Sequence, residues 1–208
     1  LAEGTRIYLE EGEELTLEQL LYAMLLNSAN DAAVAIAEHI GGNVTNFANM
    51  MNEKAYELGA KNTTFVNPNG LTEEGHLTTA YDLALMARYA LLNFDDFRKI
   101  VSTRQSTIPW AAEEWDRSLY NLNKLLWKYD GADGVKTGYT RSAGQTLVAS
   151  ATKDGWQLIA VVLKSHGQNI WSDAKTLLDY GFENFKKIDV IEKGKVITQK
   201  DIKFGDTT

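Results

Sequence analysis

Residues 131–163 read GADGVKTGYTRSAGQTLVASATKDGWQLIAVVL. Two apolar runs, TLVASAT and WQLIAVVL, are joined by Lys153-Asp154-Gly155. Apolar runs flanking Asp-Gly are a strong β-hairpin signal. Ahead of them Val135–Thr140 fits a short strand along the lip of a cavity. Its first polar residue is Lys136, and a lysine there is an odd choice if folding is the only goal.

Working outward, the N-terminal side is helical. Thr16 and Gln19 form a capping box, and Leu17, Leu20, Leu21, Met24 and Leu25 recur at helical spacing. Ser28, Asn30 and Asp31 interrupt that helix and are expected to cap a second, residues 31–40, which Gly41-Gly42 ends. A third helix is expected over 46–58, with Gly59 as its stop. A loop rich in Asn, Gly and Thr follows. A fourth helix is expected over 80–92, started by Thr79 with Asp82, and a short one over 95–101. RQSTIPW and SLYNLNKLL are ambiguous and together read as a strand followed by a helical turn. SDAKTLLDYGFENF reads as a final amphipathic helix. The opening TRIYLEEGEEL reads as the tail of a strand. Helices, then an antiparallel hairpin, then a helix make an α+β arrangement rather than a wound parallel sheet.

Composition narrows the function classes. The chain has 208 residues, 44% of them hydrophobic, with a net charge of −7 and no cysteine. Disulfides, thiolate metal sites and a cysteine nucleophile are excluded. Lys and Arg form no long run, so no nucleic-acid partner is expected. No apolar run reaches the roughly 18 residues that span a bilayer. His39, His76 and His166 lack metal-ligand spacing and are expected at the surface or in packing. The five tryptophans form no stripe and are expected in core or cleft walls.

Two triplets can carry chemistry. Ser28 and Asn30 flank Ala29 in a turn and can face one side, offering a hydroxyl and an amide. Lys136, Thr137 and Gly138 sit on a strand. The lysine offers a positive potential to an anion, the threonine a hydrogen bond to a carboxylate, and the glycine room for another backbone. Each triplet alone has a plain structural explanation: caps in one case, a charged edge strand in the other. The glycine pattern before Lys136 does not make a phosphate loop.

Together, Ser-x-Asn and a later Lys-Thr-Gly resemble the penicillin-recognising serine enzymes. The contexts LLNSANDAAVAIAEHIGG, MNEKAYELGAKNTTFVNPNGLTEEGHLTTAYDLALMARYAL and GADGVKTGYTRSAGQTLVASATKDGWQLIAVVL resemble the low-molecular-mass D-alanyl-D-alanine carboxypeptidases, the DacA/DacF-like penicillin-binding proteins of peptidase family S11. The likeness covers about residues 3–185. It implies a β-lactamase/transpeptidase-like fold over residues 1–185, with 186–208 beginning a β-rich second domain. It implies a hydrolase that removes the terminal D-Ala from peptidoglycan pentapeptides through an acyl-enzyme, with β-lactams as inhibitors and no cofactor. Ser28 would pass a proton toward the leaving amine, and Asn30 would hold the peptide. Lys136 would keep the site positive, and Thr137 would bind the terminal carboxylate. The Tyr139 N–H would be an oxyanion donor. Gly138 would let substrate lie as an added strand.

The family's nucleophile is the Ser of a Ser-x-x-Lys motif upstream of the region matching Thr5–Gly12, so nucleophile and base are expected to precede Leu1. Without that segment the chain is expected to be inactive, and to self-associate or take the segment up in trans. The family places an Arg where KSHGQNIWSDAK stands; Lys164 or His166 is expected to substitute. Ala29 stands where carboxypeptidases usually have Gly and class A β-lactamases have Asp, which disfavours a β-lactamase. The competing reading is a non-catalytic module that binds peptidoglycan ends or a protein partner. The resemblance also implies an extracytoplasmic place in the cell envelope, with membrane contact only through segments outside these residues.

Overall fold

The computed structural model describes residues 3–110, 113–188, 194–196 and 198. Seven helices and five strands follow one another among the described residues: α1 (Leu17–Asn27), α2 (Asn30–Gly41), α3 (Val44–Glu57), α4 (Ala80–Asn93), α5 (Asp95–Ser102), β1 (Gln105–Ile108), β2 (Arg117–Tyr120), α6 (Leu125–Lys128), β3 (Ala132–Thr140), β4 (Gly144–Lys153), β5 (Trp156–Ser165) and α7 (Asn169–Asn184). The α+β class is as expected.

The hairpin forms around a two-residue turn. Lys153 pairs with Trp156, and Asp154 and Gly155 take φ of 51° and 73°. Positive φ at both central positions matches the right-handed strand twist and explains the Asp-Gly pair. β3 adds antiparallel on the far side of β4, giving the order β3-β4-β5. Strand alternation then divides β4 between two layers. Leu147, Ala149 and Ala151 pack with Ile170, Ala174 and Leu178 of α7. Val148 packs with Leu91 of α4, Val101 of α5 and Ile159 of β5. The sheet is therefore sandwiched between α7 on one face and α4 with α5 on the other.

A second core holds the helical half. Ala23, Leu26, Ala29 and Ala32 of the α1–α2 region meet Ile7, Ile100, Ile108 and Leu119. The β1–β2 ribbon supplies the last two. α2 buries chiefly small side chains, Ala32, Ala33 and Ala37 with Ile36, so its neighbours approach closely. The capping box forms as expected: Thr16 Oγ1 accepts from Gln19 N at 3.2 Å and Gln19 Oε1 accepts from Thr16 N at 2.8 Å.

Three expectations change. The opening stretch is not a strand. The amides of Ile7 and Leu9 donate to the Asp31 carboxylate at 3.1–3.2 Å instead of to a neighbouring strand. α2 starts at Asn30, one residue early, and its N-cap is Ala29 with no side-chain bond. Ser28 ends α1 instead, in the left-handed conformation. Of the tryptophans, Trp110 and Trp115 line a cavity and Trp171 packs against the core as expected, while Trp127 is exposed. The expected second domain at 186–208 lies mostly outside the described residues.

Candidate active site

A cleft of about 620 Å³ runs between the α1–α2 junction and β3, and Ser28, Asn30, Lys136, Thr137, Gly138 and Tyr139 all line it. Tertiary packing therefore unites the two triplets on one surface.

The helical lip is fixed by long-range bonds. Ser28 holds φ 57°, ψ 39°, a left-handed conformation uncommon for a serine, and this turns the chain sharply between two helices. The Asn30 backbone N–H donates to Thr5 O at 2.8 Å, and its side-chain Nδ2 donates to Glu3 O at 2.8 Å. That leaves one amide proton and Oδ1 without a partner among the described residues. Asp31 fastens the opening segment alongside.

The strand lip is fixed by the sheet. Lys136, Thr137, Gly138 and Tyr139 pair with Val148, Leu147, Thr146 and Gln145 of β4. β3 is an edge strand, so its outward backbone groups face the cleft. The start of the strand is anchored from several elements. Asp133 accepts from Ser150 Oγ, Thr152 Oγ1 and Gln157 Nε2 at 2.5–2.9 Å. Asn123 Nδ2 donates to Gly134 O at 2.8 Å. A Cβ at position 138 would stand 2.5 Å from Thr146 Oγ1. The glycine is thus demanded by a cross-strand neighbour within the protein, beyond any room it leaves for a ligand.

Lys136 Nζ donates to Thr137 O at 2.9 Å and has no carboxylate partner among the described residues. Burial pushes its pKa down to about 8, because a desolvated ammonium is costly. A cation held partly buried without a counter-ion is poised to accept an anion.

The third wall is the 60–79 loop, whose role the sequence reading missed. Phe65, Asn67, Gly70, Leu71, His76 and Thr78 line the cleft. Asn52 grips Phe65 through both its amide N–H and its carbonyl, at 2.7 and 2.8 Å. The buried Asp82 accepts from Asn62 N and Thr63 Oγ1 at 2.7 and 2.8 Å. Thr72 and Ser142 hydroxyls meet at 2.8 Å, tying this loop to the β3–β4 turn. His76 is a cleft residue, not a bystander. Its Nδ1 accepts from Val66 N at 3.2 Å, which leaves the ring proton on Nε2, and burial lowers its pKa. The Asn-Pro-Asn-Gly turn was the available signal, but nothing local says what it faces. Lys164 and His166 do not line the cleft.

The quartet Ser-x-x-Lys does occur twice in the chain, as Ser150–Lys153 and Ser172–Lys175, which the sequence reading passed over. Neither is a nucleophile–base pair at the cleft. Ser150 is buried in β4 and donates to Asp133, and strand alternation sends residue i+3 to the opposite face. Ser172 donates to Asn169 O on α7, and Lys175 pairs with Asp179.

Comparison with known proteins shows which family the chain resembles. The family model Peptidase_S11, described as D-alanyl-D-alanine carboxypeptidase, matches residues 1–167. The D-alanyl-D-alanine carboxypeptidase DacF of Bacillus subtilis is 40% identical over 205 residues, 97% of this chain and 52% of its own length. Penicillin-binding protein 6B of Escherichia coli superposes with a TM-score of 0.83 at 34% identity, covering 92% of this chain and 59% of its own. A cysteine-to-alanine mutant of the Streptomyces K15 DD-transpeptidase gives 0.80 at 34% identity, covering 86% and 73%. The chain spans about half the length of the first of these relatives.

Proposed function

The chain belongs to the D-alanyl-D-alanine carboxypeptidase family, peptidase S11, and from that premise we propose that it forms most of the active-site cleft of a serine-type carboxypeptidase acting on peptidoglycan in the bacterial cell envelope. The reaction removes the terminal D-Ala of a stem pentapeptide. A serine hydroxyl attacks the peptide carbonyl between the two D-Ala residues. The amine of the terminal D-Ala leaves with a proton, and water then releases the acyl group. The attacking serine and its lysine are not assigned to any of the cleft residues described above.

The carrying observation is the partly buried Lys136, without an acidic partner among the described residues, set in the same cleft as Ser28 and Asn30. In this reading Lys136 and Thr137 hold the terminal carboxylate of the substrate, or the carboxylate of a β-lactam. Ser28 hands the proton to the leaving amine. Asn30 holds the peptide with its remaining amide donor. The Tyr139 N–H stabilises the oxyanion, a contribution of about 3–4 kcal/mol where comparable donors have been removed. Substrate lies along β3 as an added strand, its main chain bonding the free edge.

Intact-mass spectrometry after incubation with a fluorescent penicillin tests the reading. The full-length protein is expected to gain one penicilloyl group and to release D-Ala from a pentapeptide, while residues 1–208 alone gain nothing. Labelling of neither protein overturns the carboxypeptidase assignment in favour of a binding module.

A further inference from the structure

The loop that forms the third wall of the cleft folds back on itself, and its two arms are held rung by rung. Thr63 Oγ1 meets Thr78 Oγ1 at 2.9 Å. Thr64 and Leu77 exchange both backbone bonds, at 2.8 and 3.0 Å. A regular antiparallel ladder would place its next pair of main-chain bonds two residues on, between Val66 and Gly75. Instead Val66 N donates at 3.2 Å to a side chain, the Nδ1 of His76. Beyond that rung Asn67 closes the tip. Its Oδ1 accepts from Gly70 N at 2.8 Å, and its Nδ2 donates to Leu71 O and Glu73 Oε2 at 3.0 and 3.1 Å.

The His76 rung sits where the loop meets the cleft. Phe65, Asn67 and His76 all line it, and the His76 ring stands edge-on to Phe65 at 5.8 Å. Phe65 is gripped in turn by Asn52 of α3. An imidazole accepts from Val66 N only while Nδ1 carries no proton. A second ring proton sets N–H against N–H and strips the Val66 donor of its acceptor.

The surroundings favour the neutral ring. Burial lowers the His76 pKa below its ordinary 6.5, and Glu73 on the same loop opposes that shift only in part. Across the cleft β3 presents Lys136, and a second cation on the same cleft is disfavoured. On α4 the buried Asp82 is occupied by Asn62 N and Thr63 Oγ1. From α3 come the uncharged Met51 and Asn52. The closed loop therefore binds less proton than an open one just below pH 6.5, so closure weakens as pH falls through that window.

We propose that neutral His76 is a positioning residue: its Nδ1 holds the Phe65–Asn67 arm in place as the third wall, and protonation releases that arm and loosens the cleft's hold on its substrate. The role in the loop rests on the geometry; the effect on substrate rests on the carboxypeptidase reading proposed above. His76 thus sets an acid limit to binding, where Lys136 sets an alkaline one.

The test follows the full-length protein from about pH 7.5 to 5, across the range in which imidazoles titrate. Amide hydrogen exchange should show the protection factor of Val66 falling about tenfold on acidification, the worth of one hydrogen bond, while Thr64 and Leu77 keep theirs. KM for D-Ala release from a pentapeptide should rise over the same range, with kcat changing less. His76→Leu removes the acceptor, so Val66 should lose protection and KM should be raised at every pH. His76→Asn offers an amide oxygen near the Nδ1 position and does not titrate. It should restore Val66 protection relative to His76→Leu and remove the pH dependence of both readouts. A Val66 protection factor that is constant across the range in the native protein overturns the proposal, and so does an acid loss that persists in His76→Asn. D-Ala release reports the proposed reaction separately. The Val66 pattern without D-Ala release or penicillin acylation leaves the role of His76 standing and removes the carboxypeptidase reading; release with a pH-independent Val66 does the reverse.

Discussion

The two lips of the cleft are built on different principles. The strand lip, Lys136–Tyr139, is one row of a ladder whose register is repeated at every pair from Gly134 to Thr140. The helical lip, Ser28–Asn30, is a single turn held by Glu3, Thr5 and the Asp31 carboxylate, across more than 20 residues of chain. One lip draws its geometry from many equivalent bonds and a packed core behind them. The other depends on a few irreplaceable ones. Loss of any bond in the ladder is shared by its neighbours, whereas loss at the turn is felt at once by the two residues that line the cleft.

That contrast is sharpest if the core behind the ladder is opened. Leu147 is fully buried between β4 and α7. Leu147→Ala should destabilise the protein by about 2–5 kcal/mol, read by denaturant unfolding, with the α1–α2 turn keeping its native amide shifts below the transition. Collapse of the turn at the same denaturant concentration as local loss of β3 order would erase the distinction.

At the other lip, Asp31→Ala removes the acceptor for the backbone amides of Ile7, Leu9 and Ala32. Bonds to a charged group are worth about 1.5–3 kcal/mol, and that is the expected loss. Hydrogen exchange should show it first at Ile7 and Leu9, while the β3–β4 amides stay protected. Uniform acceleration across the chain would mean that the two lips are not independent.

The smallest effect is a titration. Burial holds Lys136 at a pKa of about 8, below its ordinary 10.5. In the proposed role Lys136 binds a carboxylate as the ammonium, so affinity should be full below pH 8 and fall as pH rises through it. Stability runs the other way. Between about pH 8 and 10.5 the unfolded chain still binds a proton that the folded one has lost, so stability should rise with pH. Lys136→Met should abolish that rise and weaken carboxylate binding roughly 10- to 100-fold, measured by calorimetry across pH.

Much of this was legible in the sequence because the signals are local. The Asp-Gly turn, the Thr16–Gln19 box and the Thr79 cap each involve neighbours within a few residues, and the structure forms all three. The triplets Ser28-Ala29-Asn30 and Lys136-Thr137-Gly138 were visible for the same reason. The misreadings were of residues whose partners are distant. Ser28 looked like an N-cap, yet it closes the preceding helix in the left-handed region. The opening segment alternated like a strand but spends its amides on Asp31. His76 seemed a bystander until the loop folded over the cleft.

The sequence by itself determined the order of elements, the hairpin and the chemical character of each triplet, since periodicity and turn chemistry act over one or two turns of chain. Only the tertiary structure decided that the triplets share a cleft, and that Lys136 lies there partly buried with no acidic partner among the described residues. Those outcomes depend on which distant acceptors and apolar faces come together, and residue spacing along the chain carries no record of them.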